Sequence, residues 1–275
     1  MNFEQTCKAI KEVKIQGAEN VAIATIKAYH MNPTNSAIRK LVSLRPTEPC
    51  LRNALNFVKK DTKNISKALV HFEKSKELIA EYGSRLIKDN SILFTHCHSG
   101  TVINVFKKAK QEKKKFVVRN TETRPLFQGR ITSLDLLKLK IPNTQFIDSA
   151  MRQAIKKCDA VFLGADAIDS SGKIYNKIGS ELVCETAERF GVPVYICTNS
   201  WKFDPESIYG AEEKIELRSR EEVWPKAPKQ ITIMNPAFEK INPNLITAII
   251  SELGVYKPES FIYEVQRAYP WMFKK

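Results

Sequence analysis

The sequence predicts an α/β protein in which an N-terminal helical domain precedes a Rossmann-like domain with a mainly parallel sheet. Three observations predict it. Apolar residues recur at helical spacing from residue 1 to about 88, short β-rich runs alternate with helical stretches from about 90 onward, and no low-complexity segment or flexible linker separates the two parts. At 275 residues, 43% hydrophobic and 27% charged, the chain can bury a sizeable core. The division falls at 1–88 and 89–275.

In the first part, Val21, Ala22, Ala24, Ile26 and Ala28 mark one helix, and Ile38, Leu41, Val42 and Leu44 mark a second. A long amphipathic stretch runs through Ile65, Leu69, Phe72, Leu78, Ile79 and Leu86, and Pro33, Pro46 and Pro49 punctuate the region as breaks between helices. In the second part, the runs 91–95, 115–119, 144–147, 160–163 and 193–197 are β-rich and too short for helices. Helix-like stretches at 100–112, 129–140, 149–157 and 178–190 lie between them, which is the pattern of βαβ units. A helix is expected over Leu245 to Leu253, and the aromatic segment Tyr269-Pro270-Trp271-Met272-Phe273 is expected to dock.

Composition excludes several classes. No run approaches the roughly 18 apolar residues of a membrane span, and Met1-Asn2-Phe3-Glu4-Gln5 lacks a basic start leading into an apolar stretch. A soluble, cytoplasmic protein with no membrane partner is expected. Six scattered cysteines without a C-x-x-C pair, beside four histidines, read as reduced thiols, so no metal is expected. Cys158, Cys184 and Cys197 read as small core residues.

The net charge of +14 raises nucleic acid as a partner. The strongest cluster, Lys107, Lys108, Lys110, Lys113, Lys114 and Lys115, has no interleaved aromatics to stack bases and reads as a solvated helix end. Nucleic acid is therefore not expected, whereas a basic surface would steer an anionic sugar phosphate. The chain lacks G-x-x-x-x-G-K-[ST], G-x-G-x-x-G and H-E-x-x-H, so no nucleotide, dinucleotide or other cofactor is expected.

Chemistry is sought at the carboxyl ends of the strands, where open α/β sheets bind ligands. The run ending at Thr95 leads into His96-Cys97-His98-Ser99-Gly100-Thr101, a small polar cradle with a thiol ahead of a helix. A cysteine there can act as thiolate base or nucleophile, or can be merely structural. The second run leads into Thr121-Glu122-Thr123-Arg124, in which Arg124 offers a fork for phosphate, and Gln128-Gly129 opens the next helix. The structural alternative pairs Glu122 with Arg124 across a subunit contact.

The fourth run ends in Gly164-Ala165-Asp166, which places a carboxylate at the same edge as Cys97. After a Ser170-Ser171-Gly172 turn, Asn176-Lys177-Ile178-Gly179-Ser180 reads as a helix start, and Lys202 adds a cation after the fifth run. An acid/base candidate, an ammonium group and a helix start thus converge. A structural Asp–Lys ion pair is the alternative.

The segments T-H-C-H-S-G, T-E-T-R-P-L-F-Q-G, G-A-D-A-I with N-K-I-G-S, and N-P-A-F resemble the aldose-ketose isomerases related to translation initiation factor 2B. That family includes methylthioribose-1-phosphate isomerase, ribose-1,5-bisphosphate isomerase and regulatory subunits of the factor itself. The resemblance implies Cys97 and Asp166 as catalytic residues, a phosphorylated pentose as substrate and a homodimer or a hexamer of dimers. It also implies substrate binding by Arg45, in an Arg45-Pro46-Thr47 element, and by Gln128, Asn176 and Lys177, with Lys202 at a second phosphate. Where such isomerases carry Arg-Gly-Ala, this chain reads Gln16-Gly17-Ala18, so a backbone contact to phosphate remains while a charged one is missing.

The activity implied is conversion of ribose 1,5-bisphosphate to ribulose 1,5-bisphosphate. Asp166 would serve as general acid with a raised pKa and Cys97 as base with a lowered one. The alternatives are methylthioribose-1-phosphate isomerase and a non-catalytic subunit that contacts initiation factor 2.

Overall fold

The computed structural model describes the chain except residues 13, 16, 46, 47, 62, 213, 214, 274 and 275. Five helices come first: α1 (Phe3–Lys11), α2 (Ala18–Met31), α3 (Asn35–Leu44), α4 (Pro49–Val58) and α5 (Asn64–Arg85). Pro49 opens α4 rather than merely ending what precedes it, since the first helical position needs no N–H. The βαβ region follows as β1 (Ser91–Thr95), α6 (Gly100–Gln111), β2 (Phe116–Thr121), α7 (Gln128–Lys138), β3 (Asn143–Phe146), α8 (Met151–Ile155) and β4 (Ala160–Leu163). Next come β5 (Ala167–Ile168), β6 (Ile174–Lys177), α9 (Ser180–Arg189), β7 (Val194–Cys197), β8 (Phe238–Ile241), β9 (Ala248–Ser251), β10 (Gly254–Tyr256) and α10 (Pro258–Ala268).

The main sheet has the order β10-β9-β7-β4-β1-β2-β3, parallel throughout except for the antiparallel edge strand β10. Its strands are apolar on both faces because both faces are covered. Leu93, Phe162, Cys197 and Ile250 pack with Val105 and Phe106 of α6, while their neighbours Phe94, Leu163, Ile196 and Ile249 pack with residues of α8, α9 and the N-terminal helices. The period of two in side-chain direction thus divides each strand between two cores. One of those cores runs without interruption into α2, α4 and α5 through Ile26, Leu51 and Phe72.

Two features differ from the sequence expectation. Residues 245–253 form no α-helix: a 3-10 turn over Pro243–Leu245 leads into β9, all four residues of which are buried between β7 and β10. An apolar run of this kind fits a central strand or a buried helix equally in periodicity, and its shortness is what favours the strand. Residues 174–177 form β6 of a second, antiparallel sheet, β5-β6-β8, so Asn176 and Lys177 lie at a strand end and the helix begins only at Ser180.

The aromatic tail docks as expected. Its 3-10 turn, Pro270–Phe273, brings Trp271 against Phe57 of α4 and Trp201, with ring centroids 5.0 and 5.3 Å apart. No helix among the described residues is long and apolar enough to cross a membrane.

Candidate active site at the carboxyl edge of the sheet

The chain leaves β1 for β2 and β3 on one side and returns to β4 on the other, so strand order reverses between β1 and β4. This switch point is where the two connections diverge and open a crevice. Cys97 follows β1 and Asp166 follows β4, one on each lip. The crevice walls touch closely at Gly164, where a Cβ would lie 2.7 Å from the Ser99 hydroxyl oxygen. Only glycine lets the end of β4 approach the loop carrying Cys97 this closely.

Cys97 has φ 65°, the left-handed region, and is pinned there from both sides. Its N–H donates to Thr123 Oγ1 at 2.9 Å, and its carbonyl accepts from Thr132 Oγ1 at 2.8 Å. Thr123 is itself left-handed, φ 61°, an unusual state for a β-branched residue. The carboxylate of Asp148 holds that loop by accepting from the N–H groups of Thr123 and Arg124 at 2.8 and 2.7 Å. Asp148 was not singled out from the sequence; its place just after β3, at the same edge, is the signal that could have found it.

His96 is buried and serves as a strut. Its Nε2–H donates to the Ile178 carbonyl at 2.9 Å, which leaves Nδ1 to accept from Thr121 Oγ1 at 2.6 Å. Burial lowers its pKa, so the neutral ring is the stable form.

Burial likewise pushes the Cys97 thiol up, to about 11, although Lys177 and the His98 N–H favour the thiolate. This reverses the expected lowering. The helix that was to supply the favourable dipole starts at Gly100 and is capped by Ser99, so Cys97 stands ahead of it and loses hydration without full compensation. Asp166 acts on the same thiol, opposing its ionisation, and is anchored by its own N–H donating to the Tyr175 carbonyl at 2.8 Å.

Lys202 lies in a 3-10 turn, Ser200–Lys202, and is 7% exposed, with Nζ donating to the Ala165 carbonyl next to Asp166. From the helical layer, Arg45 caps the end of α3 and pairs with buried Glu48, which senses both Asp166 and Lys202. Asn176 is buried against Ser180 Oγ at 2.9 Å, and Lys177 lies over the Phe238 ring. Cys97, Asp166, Lys177, Lys202 and Arg45 are thereby linked in one electrostatic neighbourhood.

Arg124 is turned elsewhere: it is exposed, donates to the Val223 carbonyl at 2.9 Å and lies against Phe127. Within the chain, Glu122 pairs with Arg130, 3.3 Å away. Gln128 is the first residue of α7, beside that loop. Gly17 caps α2 with φ 84° and Ala18 is its first residue, while Gln16, Pro46 and Thr47 lie outside the described residues. Of the six cysteines, all of them free, Cys97 alone is only partly buried.

A sheet with this switch point, and with a thiol and a carboxylate on its two lips, is the architecture of a ligand-binding α/β protein. The initiation factor 2 subunit family matches residues 6–258, and the chain belongs to that family. It is 34% identical to the ribose 1,5-bisphosphate isomerase of Pyrococcus furiosus, across 98% of this chain and 95% of that protein. It is 32% identical to the methylthioribose-1-phosphate isomerase of Thermosipho melanesiensis, across 94% of this chain and 76% of that protein. The solved structure of a Pyrococcus horikoshii translation initiation factor eIF-2B matches the fold with a TM-score of 0.84 at 23% identity, over 94% of this chain and 98% of that one.

Proposed function

We propose that the chain is a sugar-phosphate isomerase and that its substrate is ribose 1,5-bisphosphate, converted to ribulose 1,5-bisphosphate. The observation that carries this reading is the placement of Cys97 and Asp166 on the two lips of the β1/β4 crevice, with the charge of Asp166 acting on the thiol. A phosphoryl group on the anomeric oxygen blocks spontaneous ring opening, so the enzyme must open the ring. Asp166 gives a proton to the ring oxygen as its bond to C1 breaks, and the Cys97 thiolate takes the proton from C2. Cys97 then returns its proton to C1 while Asp166 recovers one from the C2 hydroxyl, leaving a ketone at C2 and both catalysts in their starting states. Lys177, which favours the thiolate, is the group that offsets desolvation at sulfur.

Buried Lys202 and nearby Arg45 support a substrate with a second phosphate, because a methylthio group asks for an apolar wall instead. The reading includes a homo-oligomer: Ile131, Leu134 and Leu137 form an exposed apolar stripe on α7, of the sort subunit contacts cover.

An isomerase assay with ribose 1,5-bisphosphate and methylthioribose 1-phosphate tests the proposal. The bisphosphate should be turned over, and Cys97→Ser and Asp166→Asn should each lower kcat by about a hundredfold or more. Turnover of neither sugar by the parent protein refutes the function. Full activity in both variants refutes the mechanism. Carbon-2 deuterium retained wholly in product would replace proton transfer with a hydride shift.

A further inference from the structure

In the ligand-free protein Arg45 is already engaged. Its Nε and Nη2 both donate to a single oxygen of Glu48, Oε1, at 2.9 and 2.7 Å. The Nε–Nη2 edge is one a guanidinium uses to grip phosphate through two parallel bonds, and here a carboxylate occupies it. The pair is well shielded, with 14% of the Arg45 side chain and 3% of the Glu48 side chain exposed. Yet the second oxygen of Glu48, Oε2, is buried with no hydrogen-bond partner among the described residues. A carboxylate kept only to anchor an arginine would spread the fork over both oxygens; leaving one dry and unpaired is costly. Burial accordingly raises the Glu48 pKa, against the pull of Arg45.

Glu48 also senses Asp166 and Lys202, so it belongs electrostatically to the crevice. Arg45 and Lys202 bring two positive charges to this end of the site, and Glu48 cancels one. A phosphate monoester carries nearly two negative charges at neutral pH and needs both cations.

We propose that Glu48 is an internal competitor for the phosphate subsite, holding Arg45 in the empty protein and yielding it to the phosphoryl group of the substrate. The inference rests on Arg45 as a phosphate-binding residue, as the proposed function has it, and does not require that isomerisation occur. A ligand must outbid a carboxylate to enter, which selects phosphorylated sugars over free ones. On departure of the product, Glu48 recaptures Arg45 and speeds release.

Titration calorimetry with inorganic phosphate at pH 8 and constant ionic strength tests this without any turnover. Glu48→Gln removes the competing charge at nearly constant shape, and its phosphate affinity should rise about tenfold. The gain should vanish in the double variant Arg45→Ala/Glu48→Gln. Equal or weaker binding by folded Glu48→Gln overturns the proposal, because Glu48 would then be a brace for Arg45. If the variant does not fold, wild-type crystals soaked in phosphate decide: Arg45 must leave Glu48 for the anion. Retention of the Arg45–Glu48 contact, or phosphate absent from Arg45, overturns it. Tighter phosphate binding by a protein that isomerises neither sugar would sustain this inference and sink the function, and the reverse pattern would do the opposite.

Discussion

Cys97 meets the crevice as a thiol whose proton is held more firmly than in water. With its pKa near 11, the thiolate fraction of the free protein climbs tenfold for each pH unit below that value. Alkylation of Cys97 by iodoacetamide follows the thiolate alone and is expected to quicken about tenfold per pH unit between pH 7 and 9. A rate already level from pH 7 upward would show the thiolate to be already formed. Cys97 and Asp166 were legible in the sequence because the position of each follows from a short apolar run and the rule that ligands gather where strands end. The direction of the Cys97 shift was not legible, because it depends on how much protein surrounds the sulfur and on a helix that starts three residues later than the thiol needs. Glu48 was equally hidden: as one acidic residue ahead of Pro49 it reads as a helix-opening charge until Arg45 is seen folded onto it.

The elements hold the site through two contacts that single substitutions can break. Gly164 brings the end of β4 against Ser99, so Gly164→Ala forces the two lips of the crevice apart. The cost should be about 1–3 kcal/mol of stability, with kcat reduced more than the fold is, measured by thermal melts beside turnover. Asn53 of α4 donates through Nδ2 to the carbonyls of Trp201 and Phe203 at 2.9 and 2.7 Å, clamping the turn that carries Lys202. Asn53→Ala leaves both carbonyls buried and unpaired, so about 2–4 kcal/mol should be lost in denaturant titrations, with a raised KM for the bisphosphate. The main-sheet strands and the helices between 91 and 197 were readable because each alternation of period is also a change of length. Residues 245–253 were not, because β9 is an apolar run whose neighbours β7 and β10 alone make it a strand. The small β5-β6-β8 sheet was missed for a related reason: its strands are two to four residues long, and long-range pairing rather than pattern sets them.

Across the molecule, a net charge of +14 gives an anionic substrate a favourable approach that salt will screen. The dissociation constant for ribose 1,5-bisphosphate should therefore weaken severalfold as potassium chloride is raised at fixed pH, whereas a salt-independent value would confine recognition to buried contacts. On the proposed function, the helical layer supplies Arg45 and the sheet supplies Cys97, Asp166 and Lys202, so the proposed site needs the two docked. The last docking partner is the aromatic turn at Pro270–Phe273, packed edge-to-face on Trp201 beside Lys202. During synthesis, Lys202 emerges long before the rings that brace its turn. A chain cut just short of Pro270 would keep every strand of the sheet and leave the turn carrying Lys202 unbraced, so competence depends on a segment made only after all the strands.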